Sequence, residues 1–238
     1  MLDVIGNRLQ LSQIGGWRSA ENVWRWDFES GKFTDDAATA SASIGNDVAV
    51  ARGTNGDLIQ TTAADRPSSI DGGLSFDGTE YLIFDTDTTF LDGFADSAQD
   101  WEIGMVFNVT DPDAAQVFFT FAKSDAETNN HEISYLRIQS GGVLRFYTED
   151  DASTQSNVTT TGSGLLADTD YAVIMNYESG TLTVDIYDDS GRIFTKAGAL
   201  GQGNKSFDRF TLGMLRRTGS SSGSFLTGEI KDLELRLL

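Results

Sequence analysis

The chain has 238 residues, enough for one large all-β domain, and its 25 Gly, 2 Pro and 39% hydrophobic residues favour many Gly-turned strands around a buried core. Seventeen Lys and Arg against 36 Asp and Glu give a formal charge of −19, which repels phosphate backbones and anionic lipid and excludes nucleic acid and membrane surfaces as expected partners. The absence of cysteine excludes disulfides, thiolate catalysis and Cys-ligated zinc.

The N-terminal segment has weak periodicity and is expected to form an arm. Polar residues interrupt it too often for a signal peptide, and no run of about eighteen apolar residues predicts a transmembrane helix. We expect residues 1–16 to be an attachment or oligomerisation arm, and residues 17–238 to form a single domain. Trp17, Trp24 and Trp26 would take part in this attachment or oligomerisation segment, and the alternation in "VWRWDF" predicts an opening strand.

Strands become clear from residue 72 onward. "GGLSFDGTEYLIF" predicts a hairpin that turns at Asp77-Gly78, which gives Asp77 a structural role. "WEIGMVFNV" alternates with period two, and so do "YAVIMNY" and "TLTVDIYD", which the short "ESG" joins as a hairpin. "ISYLRIQSGGVLRFYT" predicts a second hairpin around Gly141. In the final "FLTGEIKDLELRLL" the apolar residues change parity, which predicts a bulge near Lys231-Asp232.

The spacing of these strands indicates the fold class. Turn signals separate them at regular intervals, and no long stretch has helical periodicity. The sequence therefore predicts an all-β fold, a two-sheet antiparallel β-sandwich of the concanavalin A-like jelly-roll type with a short N-terminal arm.

Two stretches carry a resemblance to a known group of proteins. "IQTTAADRPS" followed by "GGLSFDGTEYLIF", and the closing "GEIKDLELR", resemble the laminin-G-like, concanavalin A-like jelly-roll modules of bacterial surface proteins and phage structural proteins. The likeness covers roughly residues 24–238 and is strongest at the two ends. It implies that the last strand returns to pair near the first, and that the rim of the sandwich is a place where such modules often bind calcium.

The sequence gives little support to catalysis. His131 is the only histidine, so any histidine-dependent triad or zinc site would need it, and its setting in "NNHEISY" predicts a surface or rim position. The resemblance also brings in glycan hydrolases, whose strands place several acids at period two, but no such strand occurs here. We therefore expect a protein that is not an enzyme.

Acidic loops are the candidate calcium sites, because hard cations bind several carboxylate and carbonyl oxygens. None of the loops has the spacing of a defined calcium motif, and a solvated acidic loop is the alternative for each. The candidates are Asp85 and Asp87, Asp111 and Asp113, and the run Glu149, Asp150 and Asp151.

Glycan binding requires an exposed aromatic platform beside amides and charged groups, since sugar rings stack on apolar faces and their hydroxyls need hydrogen-bond partners. One concave sheet is expected to carry such groups. The predicted ligand-binding residues are Asn130, Tyr135, Arg137, Tyr147 and Glu149.

These observations lead to one principal hypothesis and two alternatives. The principal one is a non-enzymatic recognition module on the surface of a phage or phage-like particle, a decoration, spike or fibre protein that binds a cell-surface glycan. It would form homo-oligomers and contact other virion or surface proteins through its arm. The alternatives are a purely structural virion protein without sugar binding, and a divergent polysaccharide hydrolase or lyase.

Overall fold

The computed structural model describes residues 11, 14, 22–28, 33–36, 41–44, 58–60, 62–70, 73–84, 88–123, 131–217, 220–221 and 224–238. The helical elements in this part of the chain include the short helix α1 (Thr88–Asp92) and a 3₁₀ turn at Ala63–Asp65. None of the described helices has the length and hydropathy needed to cross a bilayer.

Strands make up most of the described residues. In chain order they are β1 Asn22–Asp27, β2 Phe33–Asp36, β3 Ser41–Ile44, β4 Leu58–Gln60, β5 Ser68–Ile70, β6 Gly73–Asp77, β7 Leu82–Phe84, β8 Trp101–Val109, β9 Gln116–Ala122, β10 Ile133–Gln139, β11 Val143–Glu149, β12 Gln155–Thr159, β13 Tyr171–Glu178, β14 Thr181–Asp188, β15 Gly191–Ala199, β16 Arg209–Leu212, β17 Arg216–Arg217, β18 Ser220–Ser221 and β19 Thr227–Leu237.

The strands form two large antiparallel sheets. The first sheet has the order β15-β14-β13-β8-β19-β6-β5, and β1 also pairs with β19. The second has the order β12-β11-β10-β9-β16-β7-β4-β3-β2. Side chains from both sheets meet in one continuous hydrophobic core. The predicted all-β, two-sheet sandwich is therefore confirmed.

Alternation in the sequence identifies the core face of the central strands. Two of the three predicted hairpins form, because β13 pairs with β14 and β10 pairs with β11. Fully burying a large apolar side chain stabilises the fold by about 1.5–3 kcal/mol, so this face carries much of the stability. The predicted inward residues of β8, β13 and β14 are all buried: Trp101, Ile103, Met105, Phe107, Tyr171, Val173, Met175, Tyr177, Leu182, Val184 and Ile186.

The last strand contains the predicted bulge. Pairing with β8 jumps from Ile230 to Asp232, which leaves Lys231 as the extra residue. One inserted residue reverses the alternation, so Ile230 and Leu233 both reach the core despite their opposite parity. The Lys231 Nζ lies 2.7 Å from each carboxylate oxygen of Asp170. β19 also pairs with both β1 and β6, as the resemblance implied.

The predicted hairpin at Asp77-Gly78 is wrong. β6 pairs with β5 and β19 in the first sheet, whereas β7 pairs with β4 and β16 in the second. The segment between them therefore carries the chain from one sheet to the other. Asp77 Oδ1 accepts hydrogen bonds from the backbone N–H and the hydroxyl of Thr79, and the Asp77 N–H donates to Glu80. Asp77 thus fixes a corner, a structural role that turn chemistry alone cannot distinguish from a hairpin.

Two residues of the expected arm lie against the body of the sandwich. Leu11 and Ile14 are buried in a small cluster with Val106 and Ala172, on the face of the first sheet opposite to the main core. The other residues of the range 1–16 lie outside the described residues. The attachment role of the arm and its oligomerisation stay predictions.

Candidate functional site

The candidate site is the face of the second sheet that points away from the core. Successive residues of a strand point to opposite faces, and Leu136 and Phe146 point into the core. Their neighbours therefore point outward. The pairing of β10 with β11 places Tyr135 opposite Tyr147 and Arg137 opposite Arg145. Three of the predicted ligand-binding residues thus lie together on one face.

The two tyrosines are stacked and buried. Their ring centroids lie 4.9 Å apart with an interplanar angle of 25°, and Tyr135 and Tyr147 are only 4% and 5% exposed. The guanidinium of Arg137 lies 5.8 Å from the centre of the Tyr135 ring, and that of Arg145 lies 5.1 Å from the Tyr147 ring. The prediction of an exposed aromatic platform on this face is therefore wrong. Each ring packs against an arginine side chain, and both rings are too deeply buried to stack on a sugar.

Arg137 and Arg145 carry positive charge without a counterion from the described part of the chain. Neither side chain forms a hydrogen bond or an ion pair there, and the Nε atom of each is buried without a hydrogen-bond partner. A buried, unsatisfied donor costs about 1–3 kcal/mol, and like charges directly opposite each other on a sheet are destabilising. An anion bound between the two guanidinium groups would relieve both costs.

A shallow groove of about 480 Å³ lies beside Arg137 at the end of the β10–β11 hairpin. Its walls combine hydroxyl and amide groups with small apolar side chains, which is the mixture that orients a sugar. Besides Arg137, the lining residues are Ala115, Gln139, Ser140, Val143, Thr159 and Thr161.

Glu149 is fully engaged and is not available to sugar hydroxyls. The side chain is buried, its Oε2 accepts a 2.5 Å hydrogen bond from the Tyr147 hydroxyl, and its Oε1 lies 2.7 Å from Nδ1 of His131. His131 itself is partly exposed at the end of the sheet, which agrees with the predicted rim position. Asn130 lies outside the described residues.

Sequence reasoning missed Arg145 and the groove. Arg145 is two residues before Tyr147 in "VLRFYT", so period-two alternation already places the two side chains on the same face. The groove residues come from β10, β11 and the ends of β9 and β12, and no local pattern brings them together.

Two of the predicted calcium ligands hold loops together. Asp150 Oδ1 accepts hydrogen bonds from the backbone N–H groups of Ala152 and Thr154, at 3.0 and 2.7 Å. Asp151 Oδ2 accepts a 2.7 Å hydrogen bond from the side-chain amide of Asn204. The Asp150 hydrogen bonds lie within the loop after β11, and the Asp151 hydrogen bond connects that loop to the loop before β16.

Of the remaining calcium candidates, Asp111 and Asp113 lie in the loop between β8 and β9. Asp85 and Asp87 lie outside the described residues. Asp111 Oδ1 accepts a hydrogen bond from the N–H of Asp113, and Asp113 Oδ1 accepts one from the N–H of Gly141. Within the described ranges, no three acidic or histidine side chains cluster closely enough to hold a metal ion. Calcium binding stays a prediction.

A second pocket, of about 600 Å³, lies between the loop after α1 and the loop before β16. Its lining includes Asp92, Asp96, Asn204 and Lys205. The Lys205 ammonium donates to the side-chain and backbone oxygens of Gln202. Burial lowers the pKa of Lys205 to about 7, and the nearby negative charge of Asp150 opposes that shift only in part.

The lowered pKa of Lys205 predicts a stability that rises with pH. Above pH 7 the unfolded chain keeps the proton that the folded chain releases, so the free energy of unfolding should increase between about pH 7 and 9.5, by at most about 1.4 kcal/mol per pH unit. Urea unfolding at several pH values measures this slope. Lys205→Met should remove it, whereas Lys196→Met, at an exposed lysine of β15, should keep it.

The stability measurements must stay below the pH at which tyrosine side chains lose their protons. Burial raises the pKa of Tyr177 and Tyr187, so the unfolded chain loses those protons first and stability should fall at high pH. An equal slope in the chain with and without Lys205→Met would contradict the prediction.

The fold of this chain is similar to those of solved protein structures. The chain can be superposed on a chain of NanB solved with Optactamide with a TM-score of 0.53 at 16% identity, covering 69% of this chain and 25% of that one. The CBM40 of the Ruminococcus gnavus IT-sialidase, solved bound to α2,3-sialyllactose, superposes with a TM-score of 0.51 at 14% identity, covering 70% of this chain and 91% of that one. The chain has a lectin-like jelly-roll fold. Nothing in these superpositions singles out the laminin-G-like branch.

The chain studied here spans only a quarter of the length of the NanB chain but nearly the whole length of the CBM40. No protein-family model matches the sequence, and no curated protein matches it.

Proposed function

We propose that this chain is a carbohydrate-recognition module that binds an acidic glycan on the outer face of the second sheet. The observation that carries the proposal is the pair Arg137 and Arg145, which lie opposite each other with buried Nε atoms and no counterion among the described residues. Because arginine binds carboxylates through two parallel hydrogen bonds, a carboxylate-bearing sugar is the ligand class that fits.

The groove beside Arg137 would hold the rest of the sugar. Gln139 and Thr159 can pair with hydroxyl groups, and Val143 offers an apolar contact to a ring face. The CBM40 with the same fold was solved with sialyllactose, a glycan that carries a carboxylate, and this agreement supports the proposal.

The setting that we propose is the surface of a phage or phage-like particle. The resemblance of residues 59–84 and 228–236 to modules of phage structural and bacterial surface proteins supports it. A purely structural virion protein is the alternative, and it predicts no sugar binding. A polysaccharide hydrolase or lyase is the second alternative, and it predicts a shortened glycan.

Calorimetric titration of the full chain tests the proposal. The probes are α2,3-sialyllactose, an oligogalacturonate and neutral lactose, each with and without excess chelator. We expect at least one acidic probe to bind at least tenfold more tightly than lactose. Chelator sensitivity would connect binding to the predicted calcium.

Arginine variants locate the site. A charge-assisted hydrogen bond contributes about 1.5–3 kcal/mol, so Arg137→Ala and Arg145→Ala should each weaken binding roughly ten- to a hundredfold. Arg192→Ala is the matched control, because this side chain is 55% exposed on β15 of the other sheet. Equal affinity for lactose, or unchanged binding in both arginine variants, would exclude the proposed site. Product formation would favour the enzyme alternative.

A further inference from the structure

A chain of hydrogen bonds at the other end of the same face has the order of a nucleophile, a base and an acid. Ser153 Oγ lies 3.0 Å from Nε2 of His131. His131 Nδ1 lies 2.7 Å from Oε1 of Glu149. The second oxygen of Glu149 accepts a hydrogen bond from the Tyr147 hydroxyl at 2.5 Å. Two separate loops supply His131 and Ser153, which lie 22 residues apart.

The acid determines which nitrogen of His131 carries the proton. An ionised carboxylate only accepts hydrogen bonds, so Glu149 requires the proton on Nδ1 when the imidazole is neutral. Nε2 then has a lone pair that accepts the Ser153 hydroxyl proton. This is the tautomer in which a histidine acts as general base toward a serine.

Burial decreases along the hydrogen-bond chain. The side chain of Glu149 is 7% exposed and that of His131 is 28% exposed, while Ser153 is an exposed residue. The acid is therefore shielded from solvent, and the hydroxyl group is accessible to a substrate.

The loop holds Ser153 in an unusual backbone conformation. Its φ is +65°, in the left-handed region that residues other than glycine seldom adopt. Asp150 stabilises this turn, because the N–H groups of Ala152 and Thr154 donate to its carboxylate and the Ser153 N–H donates to its backbone oxygen. The serine is thus held in place rather than left on a free loop.

We propose that Ser153, His131 and Glu149 form an acyl-transfer site that hydrolyses carboxylic esters, an activity separate from glycan recognition. Ser153 Oγ would attack the ester carbonyl carbon while His131 Nε2 takes the hydroxyl proton. The alcohol leaves with that proton, and an acyl-serine remains. Water then attacks the acyl-serine with His131 as base, which releases a carboxylic acid and restores the serine. Glu149 and Tyr147 are positioning residues.

The same turn limits the expected rate. The three N–H groups around Ser153 all donate to Asp150, so this turn has no N–H left to stabilise the oxyanion, and one such donor is worth roughly 10²–10³ in rate. Activated esters, whose electron-poor carbonyl is attacked more easily, are therefore the expected substrates, and amides are not.

The experiment uses a fluorophosphonate probe on the full chain, followed by peptide mapping, and p-nitrophenyl acetate as substrate. We expect the adduct on Ser153 and none on Ser190, an exposed serine in another turn whose hydroxyl donates to Asp188. General-base assistance contributes about 10²–10⁴-fold, so His131→Gln should slow labelling at least about a hundredfold. Ser153→Ala should abolish both labelling and the initial burst of p-nitrophenol.

A spectroscopic signature tests the role of Glu149. His131 is the only histidine, so a downfield imidazole N–H resonance belongs to it without ambiguity. Glu149→Gln should shift that resonance upfield and slow labelling, with the far-UV circular dichroism unchanged. No adduct at Ser153, or equal labelling rates with and without His131, would overturn the proposal. An unchanged burst in Ser153→Ala would overturn it as well.

Discussion

Gly228→Ala is expected to destabilise the fold by more than about 4 kcal/mol, beyond the range of most single substitutions. A Cβ at this position would lie 2.2 Å from the backbone oxygen of Asn108 and 2.9 Å from the Cα of Val109. Both contacts are with backbone, so no side-chain movement can relieve them. The φ of +152° adds strain for any L side chain.

The position of Gly228 explains why the effect should be global. It pairs with Val109 of β8 on one side and with Phe76 of β6 on the other. Displacing β19 there would separate the three strands at the centre of the first sheet.

Guanidinium unfolding followed by circular dichroism measures the effect of Gly228→Ala. Gly141→Ala is the matched control, because it also has a positive φ, +81°, but a Cβ there meets nothing within 4 Å. We expect the control to cost only about 1–2 kcal/mol, the usual penalty of the left-handed conformation. If Gly228→Ala lowers the free energy of unfolding no more than Gly141→Ala does, the strands around Gly228 can move apart at little cost in stability.

The features predicted correctly from the sequence depend on local patterns. The hairpins β10–β11 and β13–β14 have alternating strands on both sides of a short Gly-containing turn, so a few residues determine each pairing. The bulge at Lys231 was visible because the apolar residues on its two sides have opposite parity. In these cases hydrophobic burial and strand geometry require the same arrangement.

The features that were missed depend on contacts distant in sequence. The turn at Asp77 could join two paired strands or two sheets, and only the pairing of β7 with β4 and β16 decides between them. β15 was missed because most of its side chains are exposed, so it has no apolar alternation. In β9, pairing with β10 jumps past Phe118, and this bulge sends both Phe118 and Phe119 into the core, which breaks the period-two pattern.

The candidate site also has features that local sequence patterns predict and features that depend on contacts distant in sequence. Tyr135, Arg137 and Tyr147 were predicted because they lie in recognisable strands, and the structure brings them together. The chemical character of the site was not predictable, because burial of the tyrosines depends on the whole face and the partner of His131 lies on a separate loop. Alternation places a side chain on a face, but only packing decides whether it is exposed.

Two arginines without an acidic partner are unexpected in so acidic a chain. In a chain of net charge −19, acidic side chains are abundant, and Lys231 and Arg236 each pair with one or more of them. Arg137 and Arg145 have no such partner among the described residues. The overall negative field would repel an acidic glycan at long range, so the proposed recognition would depend on short-range contacts with the two guanidinium groups.

Phe121→Ala is expected to lower the free energy of unfolding by about 3–5 kcal/mol, the usual cost of removing a buried ring and leaving a cavity. Phe121 is 1% exposed and lies at the centre of an aromatic cluster. Its ring centroid lies 5.0 Å from that of Phe210, 5.1 Å from that of Phe94 and 5.6 Å from those of Phe119 and Phe207. These partners come from β9, β16 and two loops, so the cavity would weaken several elements together.

Guanidinium unfolding again provides the measurement for Phe121→Ala. Ile193→Ala is the control, because Ile193 is 42% exposed and its loss should change stability by no more than about 0.5 kcal/mol. Phe121→Leu should fall between the two, since it keeps most of the apolar contact but loses the ring stacking. If Phe121→Ala costs less than Phe121→Leu, the surrounding rings must close the cavity, and the aromatic cluster would be adaptable rather than rigidly packed.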